Sequence, residues 1–326
     1  MGKIKTGPAT GNPIVPRERL FPPTPKQTSL QDRLRCLGVA AVLLAICFGK
    51  PLYDLLLFAW QSDLYSHILL VPFISLYLIR LKRGGLAPES RPVRILSVVP
   101  LVFGAAGLAS YWCAEHSGWK LARVDYLALM AVSFLCLLLS GACVFLGAKT
   151  LRQVAFPVAL LIFTVPFPAV LLGWIEAGLQ QGSSVVAEWL FTIFGMPVLR
   201  QGTSFRLPGF PLEVAPECSG IHSSLVLVIT SLVAGNLFLR GSWQRAVFTF
   251  SVLPLALLRN GFRIFTIGEL CVNISPDMIN SFIHTRGGPI FFALSIVPLF
   301  LFLLFLRKLE PGSEVSSVNQ EKRNCL

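Results

Sequence analysis

Long apolar runs separated by short polar segments dominate the chain. The longest, such as Tyr126 to Leu146 and Ile290 to Leu306, approach or reach the roughly 20 apolar residues with which a helix crosses a bilayer. We predict an all-α fold, a polytopic transmembrane helical bundle of about eight spans. These are residues 36–60, 64–80, 95–113, 125–147, 154–174, 219–239, 246–265 and 289–306. The first is interrupted near Lys50 and Pro51, so it is either one span or a span followed by a re-entrant or interfacial piece.

Polar segments flank the predicted membrane domain, which occupies residues 36–308. Residues 1–35 are basic and rich in proline, which predicts a disordered cytoplasmic arm. This arm does not resemble a cleaved signal peptide, because the first apolar run begins only at Cys36. Residues 309–326 form a short polar tail, also predicted to be cytoplasmic.

The longest stretch between predicted spans is 175–218. In its first half, apolar residues recur at helical spacing with Glu and Gln between them, which predicts an amphipathic helix at the outer surface. Its second half, from Gln201 to Glu213, contains two Gly and two Pro residues and predicts a loop or short hairpin.

The composition supports a membrane protein and excludes a soluble domain. Hydrophobic residues make up 54% of the chain and charged residues only 13%, against about 25% in soluble proteins. The net charge of +12 is explained by orientation, since most of the 28 Lys and Arg residues fall in segments that share one side when the N-terminus is inside. Both termini are therefore predicted to be cytoplasmic, in a multi-pass protein of the inner membrane, and nucleic-acid binding is disfavoured.

Three polar motifs remain near the predicted outer helix ends. They are Glu217-Cys218-Ser219-Gly220 before the sixth span, Arg259-Asn260-Gly261-Phe262-Arg263 in the seventh, and His284-Thr285-Arg286 before the eighth. A thiolate is the nucleophile in cysteine-dependent acyl transfer, and a nearby cation favours its formation. Imidazole can exchange the proton, and a guanidinium can stabilise the oxyanion of the intermediate. Together the three motifs favour an acyl-transfer site.

These motifs resemble the exosortase/archaeosortase family of membrane cysteine transpeptidases. The resemblance rests on the order Cys218-Ser219-Gly220, Asn260-x-x-Arg263 and His284, and extends over about residues 50–306. Tyr65-Ser66-His67 in the second span and the two Pro-containing steps between Phe156 and Pro168 also match family patterns.

The resemblance implies a peptidase or transpeptidase that removes a C-terminal sorting signal from exported proteins. Such a signal consists of a short Pro-containing motif, a transmembrane helix and a basic cluster. On this interpretation Cys218 attacks the peptide bond and forms a thioester, and Arg263 and His284 complete the catalytic site. An acceptor amine, on a surface component or polysaccharide, or water would release the product. No cofactor or metal is implied, and the partners are the exported substrates and membrane lipid.

Several alternatives stay open. His222 lies four residues after Cys218 and competes with His284 as the base, while Glu217 would oppose thiolate formation as a neighbouring carboxylate. Arg259 either anchors the helix or faces the site. A different class of function is a transporter or lipid-handling protein that binds an anionic substrate through its outer Arg and Glu residues. Two further cysteines predicted to lie outside, at positions 113 and 271, could pair with each other.

Overall fold

The computed structural model describes residues 30–82, 94–215, 219–275 and 288–310. The predicted arm up to residue 29 and the tail from residue 311 lie outside the described residues. The helices and strands of the described parts follow one another as α1 (Leu30–Cys47), α2 (Gly49–Gln61), α3 (His67–Lys82), α4 (Arg94–His116), α5 (Arg123–Gln153), α6 (Ala155–Leu160, continued by a 3₁₀ turn over Leu161–Thr164), α7 (Ala169–Ile193), β1 (Leu199–Gln201), β2 (Ser204–Leu207), β3 (Phe210–Glu213), α8 (Ile221–Phe238), α9 (Ser242–Phe250), α10 (Val252–Asn273) and α11 (Gly288–Lys308).

Helical spans dominate this architecture, as the apolar pattern predicted. Within the described ranges, five helical segments are long and apolar enough to cross a membrane, or up to seven if each of two sharply bent pairs counts as one span. Our prediction of about eight exceeds that range. The predicted span without a counterpart is α3, which has 16 residues. A helix of that length extends about 24 Å, less than the roughly 30 Å of hydrocarbon.

The first bent pair is α1 and α2, which meet at an angle of 79°. The break falls at Phe48, next to the interruption predicted near Lys50 and Pro51. α1 already begins at Leu30, within the segment assigned to the arm.

The second bent pair corrects the predicted span 154–174. The helix breaks over Val165–Pro168, and α7 leaves the preceding helical segment at 93° and continues to Ile193. Pro166 and Pro168 explain the break, because proline lacks an N–H and disfavours helical geometry in the residue before it. The start of α7 is held by a carboxylate from α5, since the Ala169 amide donates to Asp125 Oδ1 over 2.9 Å.

The outer amphipathic helix predicted in 175–193 is therefore the greater part of α7, and it packs lengthwise against α10. The two helices approach closely where side chains are small. A Cβ added to Gly261 would lie 2.5 Å from Val186 Cγ1, and one added to Gly182 would lie 2.8 Å from Leu257. Ile193, placed on the predicted apolar face, is 75% exposed. The close approach depends on the small residues Gly182 and Gly261, whereas Leu179, on the same predicted apolar face as Ile193, is buried.

The loop or short hairpin predicted for residues 201–213 is a three-stranded antiparallel sheet in the order β1-β2-β3. Its inner face buries Phe205, Leu207 and Leu212 against Phe191 of α7 and Phe265 of α10. The sheet therefore covers the α7–α10 pair and leads the chain back towards Ser219.

The remaining helices pack through apolar faces and a few buried hydroxyls. Ser75 Oγ on α3 donates to the Pro157 carbonyl over 2.7 Å, and Ser140 Oγ on α5 donates to the Ser97 carbonyl on α4 over 3.0 Å. Large apolar side chains such as Ile95, which is 87% exposed, cover the outside of the bundle. An apolar exterior of this extent fits a lipid environment.

The suggested pairing of Cys113 and Cys271 is wrong. Cys113 is exposed on α4, and Cys271 is buried on α10. α4 packs against α5, whereas α10 packs against α7, so the two thiols lie on different helix pairs.

Candidate active site

A cleft of about 880 Å³, with several charged side chains in its lining, lies where α3, α8 and α11 begin. Its charged and titratable lining residues come from four elements: Asp63 from the turn before α3, Glu176 from α7, His222 from α8 and Arg263 from α10. Gly220 also lines it. Ionisable groups are rare and costly in transmembrane bundles, so their convergence on one cleft favours a functional site.

The Ser219–Gly220 pair, which follows Cys218 directly, packs against α10. Gly220 has a φ of 73° and forms the N-cap of α8. A Cβ at this position would lie 3.0 Å from Arg259 Nη2 and 3.1 Å from Asn260 Oδ1. Glycine is therefore required at position 220 for two reasons: the backbone is left-handed there, and it lies in close contact with α10. Two motifs that are 39 residues apart in sequence are thus brought into contact.

Arg259 makes this contact through hydrogen bonds. Its Nη2 donates to the Gly220 carbonyl over 3.1 Å and to Ser224 Oγ over 3.3 Å. The side chain is only 7% exposed. Among the described residues, its Nη1 atom has no hydrogen-bond acceptor and Ser219 Oγ has no partner. Arg259 therefore faces the protein interior beside the start of α8, which sequence reasoning had left undecided.

Of the three predicted catalytic residues, the structure describes Arg263. It lies one helical turn after Arg259 on α10, is half-buried and lines the cleft. Cys218 and His284 lie outside the described residues, as does Glu217. Ser219, the residue after Cys218, and Gly288, four residues after His284, are described, and Gly288 also lines the cleft.

The chain is anchored a few residues before Cys218 as well as directly after it. Gln180 Nε2 on α7 donates to the Val214 carbonyl. The Val214 amide in turn donates to the Thr203 carbonyl over 3.1 Å, and its side chain is only 3% exposed. The sheet and α7 fix the chain at one side of Cys218, and Arg259 fixes it at the other.

Two of the histidines that sequence analysis considered, His222 and His67, lie in the described residues and occupy different environments. His222 is exposed in the cleft, with Nε2 3.5 Å from Ser66 Oγ. His67 is 8% exposed, and its Nδ1 lies 3.0 Å from the Leu64 carbonyl. His222 is thus available as a base, whereas His67 is fixed by its backbone contact.

Tyr65 lies in the turn before α3, with its ring centroid 6.4 Å from that of His67. Its side chain is 3% exposed, and its hydroxyl has no hydrogen-bond partner among the described residues. Burial, followed by the negative charges of Glu176 and Asp125, raises the pKa of the Tyr65 phenol to about 12. The phenol therefore stays protonated near neutral pH and keeps a hydroxyl proton that it can donate in a hydrogen bond.

Sequence reasoning missed two carboxylates of the cleft, Asp63 and Glu176. Glu176 carried a usable signal, because it follows an apolar stretch in which charge is costly. Among the residues that the structure describes, no group of three or more His, Cys, Asp or Glu side chains could hold a metal ion.

An apolar groove continues from the cleft along α3 and α8. It has a volume of about 400 Å³ and is lined by Leu70 and Ile74 of α3 and by Val233 and Leu237 of α8, with Val226 shared between groove and cleft. Both helices begin at the cleft, so the groove extends from it along the side of the bundle. A polypeptide with a polar part in the cleft could place an apolar helix in this groove.

The comparisons with known proteins agree with the motifs. Residues 59–301 match the family model described as Transmembrane exosortase (Exosortase_EpsH). No curated protein and no solved structure matched the chain. The matched region contains the cleft and all three polar motifs, and it covers well over half of the chain. The protein therefore belongs to the transmembrane exosortase family.

Proposed function

We propose that this protein is an integral-membrane cysteine peptidase or transpeptidase that removes a C-terminal sorting signal from exported proteins. The observation that carries the proposal is the contact of the Ser219–Gly220 pair with Arg259 and Asn260, beside a cleft lined by Arg263. Membership of the exosortase family supports the same activity. The cleft would face the periplasmic or extracellular side, where exported substrates arrive.

In the proposed reaction, Cys218 loses its proton to His284 and the thiolate attacks the carbonyl carbon of the scissile bond. The C–N bond breaks, and the imidazolium returns the proton to the leaving amine. The product is a thioester between Cys218 and the new C-terminus, which an acceptor amine or water resolves. Arg263 stabilises the oxyanion of each tetrahedral intermediate, because a cation held on α10 is already in place when the negative charge develops.

His222 remains the alternative base, because it lines the same cleft as Arg263. Substitution of each histidine by alanine distinguishes the two. If His284 is the base, His284→Ala lowers the processing rate by about 10² to 10⁴, the usual contribution of general acid–base catalysis, and His222→Ala has a smaller effect. The reverse order of effects assigns the role to His222.

The apolar groove supports a substrate whose sorting signal includes a transmembrane helix. That helix would lie along α3 and α8, with the cleaved bond in the cleft at their N-terminal ends. Because the groove opens beside the cleft, the motif and the helix of one substrate could bind at the same time.

The decisive experiment uses Cys218→Ala, expressed with an exported protein that carries a C-terminal motif, an apolar helix and a basic cluster. We expect the tail to be retained, while the matched control Cys113→Ala, an exposed cysteine on α4, processes normally. Continued tail removal by Cys218→Ala would refute the proposal. Solute uptake that depends on Arg263 but not on Cys218 would instead support a transporter.

A further inference from the structure

A second pocket lies towards the other end of α2 from the cleft. It has a volume of about 510 Å³, within the roughly 300–1,000 Å³ of small-ligand sites, and lies between α2, the end of α4 and the start of α5. Lys50 and Asp54 in the first half of α2 line it, whereas Gln61 at the end of the same helix lines the cleft. The described residues that line the two cavities do not overlap, so this pocket is separate from the candidate active site.

Ionisable side chains of both signs line this pocket. The basic ones are Lys50, Lys120 and Arg123, and the acidic ones are Asp54 and Glu115. Within the described ranges, no ion pair of 4.0 Å or less joins a basic member of this group to an acidic one. Charges of opposite sign are therefore present in one pocket without being paired with each other. A ligand that carries both signs of charge complements this lining better than a neutral or singly charged ligand does.

Aromatic rings form another part of the lining. Tyr111 of α4 and Tyr126 of α5 lie with their ring centroids 5.2 Å apart. Trp119, between the two helices, is 79% exposed. The Arg123 guanidinium also lies against a ring, with Cζ 5.7 Å from the centroid of Phe58 on α2. Because aromatic faces attract ammonium groups, tyrosines and carboxylates in one pocket suit a ligand with a positively charged end.

The pocket lies at a membrane boundary. α4 and α5 contain the candidate spans Ile95–His116 and Arg123–Gln153, and the pocket lies where the first ends and the second begins. Tyr53 and Trp112, which adjoin lining residues in sequence, are 61% and 63% exposed. Exposed Trp and Tyr residues concentrate where the hydrocarbon of a bilayer meets its headgroups. A ligand in this pocket is therefore at the depth of phospholipid headgroups.

We propose that this pocket binds the headgroup of a phospholipid that carries both a phosphate and a primary ammonium. The phosphate binds Lys120 and Arg123, because ammonium and guanidinium groups are strong donors to phosphate oxygens. The ammonium binds Asp54 and Glu115 beside the tyrosine pair. The acyl chains extend along α4, whose most apolar stretch is only 17% buried within the protein. The inference is independent of the proposed function, because none of these residues takes part in the proposed reaction.

The two carboxylates distinguish this headgroup from an anionic one. Phosphatidylglycerol has a phosphate but no cation, so Asp54 and Glu115 repel it. In phosphatidylethanolamine, the ammonium pairs with these carboxylates while the phosphate pairs with the basic side chains. A hydrogen bond to a charged group contributes enough free energy to change an affinity by about tenfold or more.

The test measures lipid binding to the full-length protein in lipid-free detergent by native mass spectrometry. We expect dioctanoyl phosphatidylethanolamine to bind at least about tenfold more tightly than dioctanoyl phosphatidylglycerol. Glycerophosphoethanolamine, which has the same headgroup without acyl chains, should bind at least about tenfold more weakly than the lipid, because it buries no apolar surface against α4. Equal affinity for the two lipids, or binding of the soluble compound as tight as that of the lipid, would overturn the proposal.

Two variants assign the two ends of the headgroup. Glu115→Gln should lower the affinity for phosphatidylethanolamine about tenfold without lowering that for phosphatidylglycerol, whereas Arg123→Gln should lower both about tenfold. The matched controls Glu213→Gln and Arg206→Gln, on the small sheet outside the pocket, should leave both affinities unchanged. Lys120→Gln, in the segment between α4 and α5, replaces Arg123→Gln if the latter fails to fold. Unchanged affinities in either folded variant, or an equal loss in the controls, would overturn the proposal.

Discussion

The most informative single change is Gly220→Ala, because Gly220 is the point where the start of α8 contacts α10. Its φ of 73° lies in the left-handed region, which costs an L-residue about 1–2 kcal/mol. The new Cβ would lie 3.0 Å from Arg259 Nη2, 3.1 Å from Asn260 Oδ1 and 3.2 Å from Asn260 Cγ. Overpacking of this kind typically costs about 1–3 kcal/mol, so the two effects together amount to about 2–5 kcal/mol.

The strain is relieved if the Ser219–Gly220 pair moves away from α10, and under the proposed function this movement disturbs the site that the pair helps to form. A loss of about 2 kcal/mol of transition-state stabilisation lowers a rate by about 30-fold. We therefore expect Gly220→Ala to slow tail removal by at least that factor, measured as the initial rate with a purified substrate. An apparent melting temperature of the detergent-solubilised protein shows whether the variant still folds.

Gly118 provides the matched control. It has a φ of 77°, but no atom lies within 4 Å of the position of its Cβ. Gly118→Ala therefore carries the backbone cost without the contact, and it should leave the rate of tail removal unchanged. Wild-type turnover by Gly220→Ala, or an equal loss in Gly118→Ala, would refute the argument that contact with α10 positions the site.

Three other predictions test how the fold supports this site. Gly261→Ala should lower the apparent melting temperature, since its Cβ would lie 2.5 Å from Val186 Cγ1; Gly178→Ala, with nothing within 4 Å, should not lower it. Asp125→Ala removes the carboxylate that accepts the first amide of α7, and loss of such a cap costs about 0.5–2 kcal/mol, measurable as a lower melting temperature. An unchanged melting temperature would argue against that cap. Thr230→Trp should fill the apolar groove and slow removal of a tail with a transmembrane helix, while sparing a short peptide without one. Equal inhibition of both substrates would exclude the groove as the binding site of the helix.

The sequence predicted the class of fold because the bilayer imposes a simple constraint. A helix must bury about 20 apolar residues in lipid, so the runs that form α4, α5, α8 and α11 were visible directly. Breaks were also visible where proline or charge interrupts a run, as at Phe48 between α1 and α2. The extent of α7 was not visible in the sequence, because its buried face carries small residues such as Ser183 and Ala187.

For the site, sequence alone identified the three polar motifs, because charged and polar groups are few in this chain. It could not show which of them touch, since contact depends on helix packing and not on spacing along the chain. The structure decided that Arg259 faces inward to the Gly220 carbonyl and that Glu176 joins Arg263 and His222 in one cleft. The catalytic roles of Cys218, Arg263 and His284 stay predictions.

The difference between what the sequence predicted and what the tertiary structure decided has one physical origin. Transfer of apolar residues into lipid is a local property of each segment, and it fixes which residues become helices. The direction in which a polar side chain points depends on small residues elsewhere, such as Gly261, that let two helices approach closely. Composition and pattern therefore determined a membrane bundle with three polar motifs, and only the packing of α7, α8 and α10 determined which of the described polar side chains lie together.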